Sequence, residues 1–358
     1  MDRHELSGVV RERCAAGDDD IRQRPGRWSG TPAGASAASG ECLAGGAGVG
    51  RHGAGCGVGT GRVVIAPDDH DGGVLASHLP GSTPQADGWV GELSLGFAAR
   101  GDATVLARRR RRGPLTVQRP FYPEGASVCQ VTLLHPPGGL VGGDRLELTA
   151  ALDEGAQALI TTPAAGKVYR SAGATAEQRQ GFHIAHRASL EWLPQETILF
   201  SGARLRSRTR VDLIPGGRFL GWEIVCFGRP HGAERFDAGH GGIALELWES
   251  GAPLFVERGR YVGGGALMTA PWGLAQQPVM GTWLALDAPP RLTESLRAEL
   301  VAVADPAHWG LSRLPRVLAL RYRGPSAAEA RALFVKAWTL VRPALLGRDA
   351  ISPRIWAT

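Results

Sequence analysis

Lysine is nearly absent from this 358-residue sequence, appearing only as Lys167 and Lys336, so a net charge of +6 rests almost wholly on arginine. An excess that modest is a weak footprint for nucleic acid. No run of about 18 apolar residues is present to span a bilayer, and the opening MDRHELSGVVRERC has no apolar core of a secretory signal; a cytoplasmic protein is expected. Cysteine is scarce too. Cys14, Cys42, Cys56, Cys129 and Cys226 are odd in number and form no CxxC pair, which argues against a disulfide framework and a zinc cluster. Cys129 and Cys226 sit in apolar runs and read as buried free thiols. GxSxG and HExxH are missing, so no hydrolase or zinc-protease signature is available.

Glycine is plentiful, and three of its patterns resemble phosphate sites. Gly48, Gly50 and Gly53 satisfy GxGxxG, but no apolar strand precedes them. TTPAAGKVYRS (161–171) holds Gly166 and Lys167 of a P-loop, yet Thr161 replaces its first glycine and Val168 its hydroxyl residue. HPPGGLVGGDRLEL (135–148) has two glycine pairs and no lysine. None of the three is expected to bind a nucleotide. His183 and His186 are the closest histidine pair, and on a strand positions i and i+3 face opposite ways, so they do not chelate one ion.

Residues 1 to 88 carry 19 of the 51 glycines and little hydrophobic periodicity, and read as a disordered Gly/Ala-rich extension or as translated sequence upstream of the true start. The next methionine after Met1 is Met268, so a start near residue 88 would use a non-ATG codon. From Trp89 to Thr358 the chain turns into short apolar or alternating runs divided by glycine and proline, among them GELSLGFAA, VCQVTLLHP, DRLELTAAL, RFLGWEIVCFG and PLFVERGRYV. These predict a mainly β body, an extended multi-stranded antiparallel or mixed sheet structure, without alternating βαβ units. Helical periodicity is confined to a C-terminal two-helix element, LTESLRAELVAV (292–303) and a second helix over about 327–346. That helix has Ser326 and Glu329 in capping-box register and Gly347 as its stop.

Arg108 to Arg112 form five successive guanidiniums, here read as a solvated turn ahead of Gly113; the alternative is an RNA- or DNA-binding β protein using that run. No stacking aromatics interleave with it. More unusual are carboxylates inside apolar or glycine-rich runs: Asp144, Glu191, Glu196, Glu223, Glu234 and Glu257. They admit two readings, structural ion pairs with arginine or hard oxygen ligands for a divalent cation.

Taken in order, GPLTVQRPFYPEG, LLHPPGGLVGGDRLEL, TTPAAGKVYRS, EWLPQETILF, GWEIVCFGRPHGAERF, PLFVERG and PRIW resemble the UreD (UreH) type of urease accessory protein. The resemblance implies a non-enzymatic scaffold that helps deliver nickel to the urease apoprotein, together with a UreF-type partner and a UreG-type GTPase. It implies no tightly bound cofactor, only nickel in transit. Within these segments Asp144, Glu223 and Glu257 are proposed to line the nickel route. Lys167, Tyr169, Arg170, Glu191, Glu196, Arg229 and Glu234 are further candidate functional positions.

Overall fold

Two kinds of strand are written into the sequence, and they sort into two sheets. RLELTAAL alternates, with Leu146, Leu148, Ala150 and Leu152 buried and Arg145 and Glu147 exposed, as a strand wet on one face should be. SLEWL is buried at every position, as a strand covered on both faces should be. The computed structural model describes residues 88–357 apart from Ala233, so the expectations for residues 1 to 87 lie outside the described residues.

The described chain opens with β1 (Val90–Arg100), β2 (Ala103–Arg112), β3 (Thr116–Val117), β4 (Cys129–Leu134), β5 (Arg145–Leu152) and β6 (Gln157–Thr161). It continues through β7 (Gly166–Val168), β8 (Ala176–Ile184), β9 (Ser189–Leu193), β10 (Thr197–Leu199), β11 (Arg204–Leu213) and β12 (Arg218–Arg229). Then follow β13 (Glu234–Arg235), β14 (His240–Glu249), β15 (Ala252–Val262), α1 (Ala266–Thr269), β16 (Val279–Leu286), α2 (Leu292–Leu300), β17 (Trp309–Arg313), β18 (Val317–Gly324) and α3 (Ala327–Leu346).

The first sheet has the order β15-β14-β11-β8-β5-β1-β2; the second runs β17-β18-β16-β12-β9-β6-β4-β3, with β7, β10 and β13 attached. The sheets are mixed, as expected. In the middle of each the strands are parallel, and the chain reaches one parallel neighbour from another by way of a strand in the opposite sheet. Passage through the facing sheet replaces the crossover helix of a βαβ unit, which is why helical periodicity is missing between these strands. One core fills the space between the sheets, including Phe97, Leu148, Phe182, Leu190, Trp192 and Phe219. A second lies on the far side of the second sheet, where Leu220, Trp222, Trp283 and Leu320 meet Leu333, Phe334, Trp338 and Val341 of α3.

Helix α3 spans the expected residues. Ser326 Oγ accepts the Glu329 N–H at 3.3 Å, and Gly347 closes the helix at φ 71°. The capping box itself is not completed, because Glu329 turns to Tyr322 Oη at 2.7 Å and to the Asp305 N–H at 3.1 Å. The arginine run also differs from expectation. It finishes β2, an edge strand of the first sheet, instead of forming a turn, with Arg112 reaching Glu92 at 3.3 Å and Arg108 reaching Asp153 at 3.4 Å. An edge so charged resists pairing with a further strand. Cys129 and Cys226 are buried free thiols.

Candidate functional site

Strand parity decides where each carboxylate points. In β12, Leu220, Trp222 and Ile224 face the helices, which sends Glu223 into the space between the sheets. In β9, Leu190 and Trp192 face that space, which sends Glu191 to the helices. Two residues that look alike in the sequence thus enter different chemistries.

The pairing registers carry Glu223 into a row across the second sheet, Glu223–Thr282–Arg321. Across the first sheet runs a facing row, Gln180–Thr209–Leu245–Glu257. Hydrogen bonds join the two. Thr209 Oγ1 lies within hydrogen-bonding distance of Glu223 Oε1 and 3.1 Å from Gln180 Oε1. Thr282 Oγ1 donates to Glu257 Oε1 at 2.6 Å, and Arg321 Nε donates to Glu257 Oε2 at 2.6 Å. The Trp192 indole N–H is directed at Glu223 without closing a hydrogen bond of normal geometry.

A cavity of about 260 Å³ occupies one end of the space between the sheets and is lined in part by His135, Gly139, Lys167, Gln180, Ser207 and Glu223. A second, of about 20 Å³ and so no larger than a water molecule, is lined by Glu223, Glu257, Tyr261, Met280 and Thr282 among others. Glu223 belongs to both. Burial pushes its carboxyl up from 4.5 to about 7; Thr209 and Trp192 oppose the rise and the charge of Glu257 adds to it. Burial, reinforced by Glu257, likewise pushes the Tyr261 phenol up to about 12. His135 is drawn below its ordinary value by burial, against the pull of nearby Asp144.

Asp144 lines neither cavity. Its carboxylate accepts the Val141 N–H at 2.9 Å and the Trp89 N–H at 3.3 Å, tying the glycine-rich turn to the start of β1. Gly143 takes φ 95° there, a conformation that a side chain would strain. Lys167 is exposed and lies in β7, with no helix after it to complete a phosphate site. Tyr169, Arg170, Arg229 and Glu234 converge at one corner. Tyr169 packs on Phe200 with centroids 5.1 Å apart, Arg229 lies 5.2 Å above the same ring, and Glu234 accepts from Arg229 at 2.6 Å while Arg170 adds its field.

Glu191 belongs to a buried ion cluster. Arg342 donates to its two oxygens at 2.8 and 2.9 Å, Trp338 Nε1 donates at 2.7 Å, and Glu124 approaches Arg342 at 2.6 Å. Burial raises the Glu124 carboxyl, against the lowering influence of Arg342. Glu196 pairs with Arg331 of α3. Both therefore fasten the helix layer to the second sheet. Among the described residues, no three His, Cys, Asp or Glu side chains converge to hold a metal ion. What the two rows offer a cation is a short series of weak oxygen donors, two carboxylates helped by hydroxyls. Sequence reading missed Thr209, Thr282, Gln180 and Arg321. The alternation of RLRSRTRVDL holds the signal for one of them, since Thr209 shares the inward parity of Leu205, Val211 and Leu213.

The family model for the UreD urease accessory protein matches residues 90–357. The chain belongs to the UreD family. Among its relatives, the urease accessory protein UreD of Dechloromonas aromatica is 46% identical over 288 residues, covering 79% of this chain and all of the relative. That of Azoarcus sp. is 46% identical over 273 residues, covering 76% of this chain and 95% of the relative. That of Alkalilimnicola ehrlichii is 45% identical over 284 residues, covering 79% and 96%. A UreD-family chain has a role in urease maturation, as an accessory protein to urease. Among the described residues, no helix is long and apolar enough to cross a membrane.

Proposed function

We propose that this chain is a non-catalytic urease maturation factor that passes nickel between its two sheets, along Glu223 and Glu257, on the way to the urease apoprotein. The observation that carries this reading is the sharing of Glu223 between the two cavities, with Glu257 on the wall of the smaller one. A carboxylate placed between facing apolar sheets is costly unless it is paired or hydrated. Among the described residues Glu223 has a hydroxyl partner and no arginine, and it adjoins space for solvent, the arrangement that a transient ligand needs. Carboxylate oxygens hold a divalent ion less tightly than thiolates or imidazoles, so an ion that enters can also leave.

Asp144 acts at one remove, by fixing the turn before β5 and setting the field at His135, which lines the larger cavity. A UreF-type protein and a UreG-type GTPase complete the assembly, and nucleotide chemistry belongs to the latter. No cofactor is held tightly, and the assembly works in the cytoplasm.

Purified urease apoprotein and the accessory partners, reconstituted with nickel and with Glu223→Gln or Glu257→Gln in place of the wild-type chain, test the proposal. Urease nickel content should fall severalfold while the variants assemble and melt as the wild type does. Normal nickel loading by both variants overturns the route.

A further inference from the structure

His135, the first residue after β4, has an imidazole nitrogen with nothing to bond. Its Nε2 is buried and lacks a hydrogen-bond partner among the described residues. A buried polar atom left so is costly, and one that persists calls for a bound ion or water. The ring is held firmly all the same. The Trp89 indole stacks on it with centroids 5.7 Å apart, and Trp89 is itself fixed by its N–H to Asp144 at 3.3 Å and by its carbonyl, which accepts the Arg145 N–H at 3.0 Å. In the backbone, the His135 carbonyl accepts the Gly138 N–H at 2.9 Å, closing a turn through Pro136 and Pro137.

His135 also lines the larger cavity, at its solvent end. Gly138, Ala164 and Lys167 line it too and are exposed, and the Leu140 N–H ties the turn to the Lys167 carbonyl at 2.7 Å. Glu223 lies where the larger cavity meets the smaller. Glu223, Glu257 and their hydroxyl neighbours are hard oxygen donors, which suit magnesium and calcium as well as they suit nickel. Such donors do not tell these ions apart. An imidazole does, because nitrogen strengthens binding along the first-row series towards nickel while magnesium prefers oxygen. Among the described residues that line either cavity, His135 is the only histidine and no cysteine is present.

We infer that His135 Nε2 is the nitrogen ligand that admits the cation to the passage and gives the passage its preference for nickel over magnesium. With the ring proton on Nδ1, the Nε2 lone pair displaces one water from the hydrated ion, whose other positions keep water. Among the described residues no three metal-ligating side chains converge, so the hold is weak and brief. The ion then passes inward to Glu223 by exchanging that nitrogen for oxygen. This deepens the proposed function and rests on it for the onward path alone.

The purified full chain is dialysed against nickel chloride with and without magnesium in large excess, and the nickel-loaded protein is examined by proton NMR. Wild type should keep its nickel under excess magnesium and show the far-shifted resonance of an imidazole on a paramagnetic ion. His135→Gln should bind nickel about tenfold or more weakly and lose that resonance, with magnesium affinity unchanged. His135→Cys, which puts a thiolate in place of the nitrogen, should keep the preference for nickel. No shifted resonance in nickel-loaded wild type, or equal nickel retention by His135→Gln, overturns the ligand and leaves the route standing. Lost retention in His135→Gln together with normal urease nickel loading by both Glu223→Gln and Glu257→Gln removes the route and leaves the ligand standing.

Discussion

Thr209 Oγ1 stands between Glu223 Oε1 and Gln180 Oε1, and it has one proton to share between two acceptors. The string is satisfied when Glu223 carries a proton of its own, donates it to Thr209, and Thr209 donates to Gln180. Burial of the carboxyl pushes in the same direction, to about 7. The geometry of this string and the cost of a buried charge thus both favour the protonated carboxyl, against the pull of Thr209 and Trp192 towards the charged form.

The sign of the pH dependence follows. Glu223 holds its proton to about 7 in the folded chain and to 4.5 when unperturbed, so between those values the folded state binds more protons. Stability is then fully present below pH 4.5 and lost as pH rises towards 7, by about 3 kcal/mol in all. Denaturant unfolding at pH 5 and pH 8 measures it. The wild type should lose stability over that range relative to Glu223→Gln. Equal losses in the two would show that Glu223 ionises freely and that the Gln180 amide is turned to donate to Thr209 instead.

Thr209→Val removes the hydroxyl but keeps the shape, while Thr209→Ser keeps the hydroxyl. The valine variant should be less stable by roughly 1 to 3 kcal/mol, since it strips half-buried Glu223 and buried Gln180 of a partner, and should lower urease nickel content. Serine should restore nickel loading. Metal analysis of urease matured with each variant decides the matter, and equal loading by valine and wild type would exclude Thr209 from the passage.

The Glu191–Arg342 pair should behave as a structural element. Both side chains are fully buried and each is the other's main counter-charge, so Arg342→Met or Glu191→Leu alone should cost roughly 3 to 5 kcal/mol. Replacing both together should recover much of that loss. A double-mutant cycle in thermal or denaturant unfolding reads the coupling, and additive losses would mean that the two residues act independently.

Lys167→Ala should leave nucleotide binding unchanged, at none, because Gly166–Lys167–Val168 is a strand and supplies no helix N-terminus to a phosphate. Isothermal titration of the purified chain with GTP checks this. Saturable binding that disappears in the variant would reinstate the near-miss loop as a nucleotide site.

Much of the architecture was legible because it is written locally. Period-2 alternation and glycine punctuation gave the β body; Ser326 and Gly347 gave the limits of α3, since capping depends on residues within one turn. The motifs in sequence order gave the family. What a linear reading could not supply was the partner of each carboxylate. Glu191 and Glu223 both sit beside tryptophan in apolar strands, yet one pairs with an arginine on α3 and the other faces a cavity. Parity separates their faces, but only the docking of α3 puts Arg342 opposite Glu191. Likewise Glu257 and Arg321, 64 residues apart, meet because the edge of one sheet folds over the other. Asp144 looked like a member of the same set, and its oxygens go to two backbone N–H groups instead. The sequence determines which side chains are available and on which face of a strand they stand. Which of them share a low-dielectric space is set by strand order and sheet packing, because burial and pairing energies exist only between groups that the fold has brought within a few ångströms of one another.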